Sequence, residues 1–369
     1  MAATGRSAGD LAARLADAPF VRVAPRADGD AIAAAGLLLR ALADRSIPFQ
    51  ARVVAPTADP PVDDATIPIG FDDGPAPGDR PASAVVAEAV RDLDCEPDPA
   101  LALAGCYLAG ASPSTLDLDV PFERRDGVGI PTADLADGLA HSTLVHAGFS
   151  GDEERVAAAL AELSNDDGRS VASLLALETV GTEGATSRAA ERVERALRPH
   201  ATPDGPFESL EGYADVLDCL AHETPGLALA LAMGHDVRVE ALETWRAHAK
   251  AAHRGLREAT TDRYDGLFVA RVDGPVRDSA SDADGPRPSV PLETIARLSL
   301  EFRSPEPIAL AVAGGEAAAA SVEDASIGET MEEATNAVGG IGGGTASRGT
   351  AEFDAEPSAF VDAVRGAMA

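Results

Sequence analysis

Apolar and polar positions along the first hundred residues follow two different periods. Leu11 to Leu15 recur at helical spacing, Phe20-Val21-Arg22-Val23-Ala24 alternates as a short strand does, and Ile32 to Leu42 returns to the helical period. Phe49 to Val54 and Thr66 to Phe71 read as a second and a third strand. Strands alternating with helices predict a mainly parallel sheet with helices on both faces, and such sheets present ligand sites at the carboxyl ends of their strands. Helices are predicted next at Pro81 to Asp94 and Pro99 to Ala109, and a loop over the Pro-, Gly- and Asp-rich stretch from Pro113 to Pro131.

From Gly151 to Leu197 the pattern is mostly helical, and Asp152-Glu153-Glu154 puts acid on a first turn, where the helix dipole favours it. A long helical run, Val237 to Glu258, carries the only tryptophan, Trp245, and reads as a connector. Beyond it the texture changes. Leu267 to Val272 reads as a strand, Asp278 to Pro288 as an acidic loop and Leu292 to Phe302 as a helix. Ile308 to Val312 and Ala317 to Val322 form a hairpin pattern around Gly314-Gly315. The glycine-rich stretch Gly339 to Thr345 precedes a strand at Arg348 to Phe353 and a closing helix at Pro357 to Met368. The expected α/β organisation is an N-terminal domain over residues 1–150, a helical region and connector over 151–259, and a smaller C-terminal α/β domain over 260–369.

With 369 residues, 45% of them apolar, the chain can bury a sizeable interior, yet no stretch approaches the roughly 20 consecutive apolar residues of a membrane span. The first residues lead into an amphipathic pattern without an apolar signal core, so a cytoplasmic protein with no membrane partner is expected. Thirty basic residues, of which only Lys250 is lysine, stand against 61 acidic ones, a formal charge of −31. Such self-repulsion is relieved in concentrated salt, where at about 1 M the Debye length falls to roughly 3 Å. The acidity therefore reads as halophilic solvent adaptation, and it does not exclude a nucleic-acid partner. Cys95, Cys106 and Cys219 are odd in number and widely spaced, which fits a reducing compartment. Cys219-x-x-His222 has ligand-like spacing but no second pair, and reads as part of a helix. His141 and His146, like His248 and His253, stand five apart, off a common helix face.

The segment after the first strand, Val23-Ala24-Pro25-Arg26-Ala27-Asp28-Gly29-Asp30-Ala31-Ile32, carries the most chemistry. Two carboxylates on a tight strand-to-helix turn can enter one cleft at the sheet's carboxyl edge, where Mg²⁺ or Mn²⁺ would find the oxygen ligands they prefer. An Asp-Gly-Asp turn equally caps the helix that follows, and spacing alone does not separate the two. A second acidic turn, Phe71-Asp72-Asp73-Gly74, follows the third strand and is expected on the same edge.

This arrangement, with the Pro-Ala-Ser start of the next helix and the terminal glycine run, resembles the DHH phosphoesterases, most of all the archaeal RecJ-type single-strand exonucleases. The candidate metal ligands are then Asp28, Asp30 and Asp72 from the two acidic turns and Asp79 from the resemblance, but the motifs depart from the family pattern. Where H-x-D-x-D-G is usual, Asp28-Gly29 matches the second aspartate and its glycine, while Ala24 and Arg26 stand for the histidine and the first aspartate. The D-H-H signature would fall on Asp79-Arg80-Pro81, and the aspartate expected near Leu101 to Gly110 is absent. Mn²⁺ or Mg²⁺ is then held weakly or not at all. The family's Gly-Gly-His segment corresponds to Gly343-Gly344-Thr345, followed by Arg348-Gly349. This glycine loop beside an arginine is expected to contact phosphate through Gly343, Gly344, Thr345 and Arg348.

The resemblance thus implies a RecJ-like protein whose two α/β domains flank a groove for single-stranded nucleic acid, with metal-dependent exonuclease activity reduced or lost. Two alternatives stand beside it. One is a non-catalytic replication or repair subunit, with GINS and MCM as candidate partners; the other is a phosphodiesterase acting on small nucleotides.

Overall fold

In chain order the protein forms α1 (Ala8–Ala16), β1 (Val21–Pro25), α2 (Gly29–Asp44), β2 (Phe49–Ala51), β3 (Thr66–Ile69), α3 (Ala82–Asp92), α4 (Pro99–Leu108) and α5 (Leu135–His141). Then come α6 (Glu153–Ala161), α7 (Gly168–Val180), α8 (Ser187–Ala196), α9 (Leu210–Glu223), α10 (Pro225–Ala232) and α11 (Arg238–Glu258). The remainder runs β4 (Thr260–Tyr264), β5 (Leu267–Arg271), α12 (Leu292–Leu298), a π-turn at Ser299–Arg303, β6 (Ile308–Ala313), β7 (Glu316–Ser321), α13 (Ile327–Val338), β8 (Gly340–Gly344), β9 (Arg348–Phe353) and α14 (Pro357–Ala367). This computed structural model describes residues 7–61, 63–71, 74–75, 80–111, 122–164, 167–202, 205–273 and 290–368. The chain divides into two units, Met1–Gly138 with Arg198–Arg246, and Leu139–Leu197 with Ala247–Ala369.

Helix starts follow from local side-chain chemistry. Ser7, Asp28, Asp98, Asp152, Asp167 and Ser209 each accept a hydrogen bond from the backbone amide three residues on, which satisfies a donor the helix itself leaves unpaired. The start of α3 differs, because Pro81 occupies its N-cap and supplies no side-chain acceptor.

In the first unit β1 lies between β2 and β3, and both pairings are parallel. Pro25 pairs with Ile69, and the Ala27 amide donates to Val54 at 2.9 Å, so the three chain segments end on one border. The second strand is shorter than its apolar pattern suggested, and Val54 joins only through an isolated bridge to Arg26. Helix α2 packs closely on α10, since a Cβ at Gly36 would stand 2.5 Å from the Ala232 Cβ. Arg40 fastens the same region by donating to the Ala232 carbonyl at 2.8 Å and pairing with Asp98 at 2.7 Å. Trp245, fully buried, donates its indole N–H to Asp215 on α9 at 3.0 Å.

The second unit carries a six-stranded mixed sheet ordered β4-β5-β6-β7-β9-β8, in which only β5 and β6 run parallel. Its core gathers Leu267, Val269, Leu310, Val312, Met331 and Phe353, with Phe353 and Phe360 stacked at 4.1 Å. The expected helix Leu292 to Phe302 gives way to a π-turn at Ser299, closed by the Ser304 amide on the Ser299 carbonyl at 2.7 Å. The glycine run, expected as a loop, is the edge strand β8. Glycine is needed there because α13 lies directly on the strand, and a Cβ at Gly342 would stand 2.4 Å from the Met331 carbonyl oxygen. The expected loop at Asp278 to Pro288 lies outside the described residues. Cys95, Cys106 and Cys219 are free thiols. Among the described residues no helix is long and apolar enough to cross a membrane.

Candidate functional site

The turn that leaves β1 is built by the sheet border. The Arg26 amide donates to Ile69 at 2.9 Å and the Asp28 amide turns back to the Arg26 carbonyl at 2.9 Å, after which Ile32 donates to Asp28 and α2 begins. Asp28 is extended, with φ −139° and ψ 156°, and its Oδ1 accepts from the Ala31 amide at 2.8 Å. Gly70, at φ +80°, comes close to this turn: a Cβ there would stand 3.2 Å from Asp28 Oδ2 and 3.3 Å from the Arg26 Cβ. Arg26 is buried, and its guanidinium carbon lies 4.6 Å from the centre of the Phe71 ring.

Asp30 points elsewhere. Its two oxygens accept from the amides of Ala82, at 2.6 Å, and Ser83, at 3.0 Å, so it caps α3 in place of Pro81. Part of the side chain keeps solvent contact, but the carboxyl lies deep enough that burial pushes its pKa up to about 6; the Asp28 charge adds to the rise and the amide hydrogen bonds oppose it. Beside it, Ser83 Oγ and Cys106 Sγ are 3.6 Å apart, and burial pushes the Cys106 thiol up to about 11.

Helix α9 contributes two groups that sequence reasoning did not attach to this turn. A Cβ at Gly29 would stand 3.4 Å from Asp218 Oδ1, and Asp218 Oδ1 lies 3.6 Å from His222 Nε2. The i, i+4 spacing of Asp218 and His222 was a visible signal, although only Cys219 and His222 drew notice as a pair.

Asp28 and Asp30 therefore share one turn but serve two helices, while Asp72 and Asp79 lie outside the described residues. Among the described residues no group of three or more His, Cys, Asp or Glu could hold a metal ion. The described donor set falls short of what Mn²⁺ or Mg²⁺ needs, for it gathers fewer than three such groups, each Asp30 oxygen already accepts a backbone amide, and a buried guanidinium brings positive charge to the same turn.

Gly343, Gly344, Thr345 and Arg348 are together at one end of the β8–β9 hairpin, in the second unit. The Thr345 amide donates to the Arg348 carbonyl at 2.7 Å, and the Arg348 amide to Thr345 Oγ1 at 3.1 Å. At the start of α13 the Ile327 and Gly328 amides donate to the Ala346 and Thr345 carbonyls at 3.0 and 2.8 Å. Those first-turn donors are thus already engaged within the chain.

Comparison with known proteins places this geometry. CDC45 from Entamoeba histolytica matches at a TM-score of 0.55 with 9% identity, covering 97% of this chain and 97% of that one. RecJ from Thermus thermophilus, solved with Mg²⁺, matches at 0.48 with 16% identity over 98% of this chain, which spans only 52% of that protein's length. The fold is thus similar to that of the CDC45 structure. A protein of Haloarcula marismortui, "Uncharacterized protein rrnAC1427", is 47% identical over 392 residues, covering 100% of both chains. The model of that protein's C-terminal domain matches residues 259–366. The chain belongs to the rrnAC1427 family.

Proposed function

We propose that this chain is a RecJ-like DHH-family protein that binds single-stranded nucleic acid in a salt-rich cytoplasm, with metal-dependent phosphodiester hydrolysis reduced or lost. The carrying observation is that Asp30, which its spacing from Asp28 makes a candidate metal ligand, has both oxygens accepting from the amides of Ala82 and Ser83. The Arg26 side chain buried in the same turn supports the same reading. Gly343, Gly344, Thr345 and Arg348 are the residues proposed to meet the phosphate backbone. The test incubates the purified chain, in concentrated KCl with Mn²⁺, with end-labelled single strands of DNA and of RNA. Retention of the strand without metal-dependent products is expected. Robust cleavage that Asp28→Ala abolishes would overturn the loss of activity, and failure to retain either strand would overturn the binding.

A second reading, a non-catalytic assembly subunit, is favoured by Leu177 and Val180 on α7, which are 73% and 53% exposed on an otherwise strongly acidic chain. Replication proteins such as GINS and MCM are the partners this reading proposes. Co-purification that Leu177→Asp with Val180→Asp disrupts, without change in thermal midpoint, would support it.

A further inference from the structure

The second unit contains a buried cluster of titratable groups that the proposed function does not use. Residues 142–151, which link α5 to α6, are fastened through their own backbone. Arg297 of α12 donates to the Thr143 carbonyl and hydroxyl, both at 3.0 Å, and Arg257 of α11 donates to the Ser150 carbonyl. His253 of α11 completes the attachment, its Nε2 lying 3.0 Å from the Ser142 carbonyl oxygen.

That last contact fixes two tautomers. A carbonyl only accepts, so His253 Nε2 carries the proton, and in a neutral ring Nδ1 is then a bare acceptor. His146 Nδ1 lies 3.1 Å from it, with the rings stacked at 5.3 Å, and must therefore be the donor. The remaining nitrogen, His146 Nε2, is a buried lone pair with no hydrogen-bond partner among the described residues.

Neither ring has room for a second proton. On His253 it would either set two N–H groups against each other across 3.1 Å or drive the His146 proton onto the partnerless Nε2; on His146 it would create a buried charge without an acceptor. The surrounding charges oppose it too. Arg257 and Arg303 bear on His146, while Arg257, Arg297 and His141 of α5 bear on His253. The nearby acids serve the arginines: Glu301 pairs with Arg297 at 3.5 Å, Asp152 and Glu258 face Arg257, and Glu183 faces Arg303. Glu178 lies against Gly148, 3.3 Å from where a Cβ would stand. Three guanidiniums also make the pair a poor cation site. Burial, with these positive neighbours, holds His146 well below its ordinary range and His253 down at about 3.

We infer that the stacked His146–His253 pair is a proton-operated latch, which closes residues 142–151 onto α11 and α12 when both rings are neutral and lets that segment go in acid. Because the closed pKa values are depressed, the latch is at full strength above the released value of about 6.5 and weakens as pH falls below it. Between pH 7.5 and 5.0 the opening constant should rise about thirtyfold for each ring that takes up a proton on release, about a thousandfold for two.

Hydrogen exchange on the full chain in concentrated KCl tests this, with rates corrected for intrinsic chemistry and peptides from β5 and β6 as the internal control. The expected result is loss of protection over 142–151 at pH 5.0, with the control unchanged. His253→Gln offers Ser142 an amide donor that does not titrate, and His146→Asn does the same toward residue 253, so each should remove one ring's share and the double variant should be flat. Equal protection of 142–151 at both pH values, or a full response in the double variant, would overturn the latch. Should the variants fail to fold, ring ¹⁵N–¹H spectra of the parent decide. Protons on His253 Nε2 and His146 Nδ1 that persist through pH 6 support the latch, whereas the opposite tautomers, or titration near 6.5 in the closed segment, overturn it.

Discussion

Asp30 is the residue on which the metal and capping interpretations of the first turn diverge, and Asp30→Ala separates them. Removing the carboxylate leaves the Ala82 and Ser83 amides without the acceptor they now share, at a cost of roughly 1–3 kcal/mol each. Against this stands the relief of a carboxyl whose pKa rises from 3.8 to about 6, nominally near 3 kcal/mol and nearer 1–2 once the side chain's residual solvent contact is discounted. The net expectation is a loss of roughly 2–3 kcal/mol at the middle of these ranges, and about 5 at most, at pH 7.5. The sign with pH follows from the raised pKa: the parent's advantage is fully present below 3.8 and is lost as pH rises through about 6. The variant should therefore fall a further ~1 kcal/mol behind the parent at pH 5.0. Urea unfolding of parent and variant side by side in concentrated KCl reads both quantities, and the histidine contributions cancel in the difference. An unchanged midpoint for Asp30→Ala at both pH values, together with a parent midpoint that Mn²⁺ raises, would show that Asp30 is a ligand and not a cap.

Further expectations follow from the same packing. Gly342→Ala should force α13 off β8, because the new Cβ meets the Met331 carbonyl oxygen at 2.4 Å, and a fall of more than about 2 kcal/mol in thermal or urea stability checks this. Trp245→Phe removes the indole donor to Asp215 and should cost about 1–3 kcal/mol by urea unfolding. Cys106, buried and with its thiol pushed up to about 11, should resist iodoacetamide at pH 8 until the chain unfolds, which mass spectrometry of the alkylated cysteine follows. Exhaustive treatment with EDTA should leave the thermal midpoint within about 1 °C, since the described turn satisfies Asp28 and Asp30 with backbone amides.

Much of the architecture was legible because it rests on period and local chemistry. The alternation at Phe20 to Ala24, the helical spacing from Ile32 and the Gly314-Gly315 hairpin all appear where their patterns put them. What escaped is set by contacts distant in sequence. The run Gly340–Gly344 has the composition of a loop, and only the approach of α13 reveals why a strand there consists almost wholly of glycine. His146 and His253 stand in different elements, 107 residues apart, so arithmetic on neighbouring histidines could not pair them.

The carboxylates of the first turn illustrate the same division at the candidate site. Asp28 acts within three residues, and its capping role was one of the two readings its spacing left open. Asp30 acts across 52 residues, on a helix whose own N-cap is a proline. A proline there can start a helix but its side chain offers no acceptor to the first-turn amides, so that acceptor has to come from elsewhere in the fold. The loss of side-chain capping at Pro81 and the commitment of Asp30 are thus two sides of one arrangement. Restoring a local cap with Pro81→Ser should release Asp30 from part of that duty, which makes the dependence of this turn on α3 a property that can be changed from either end.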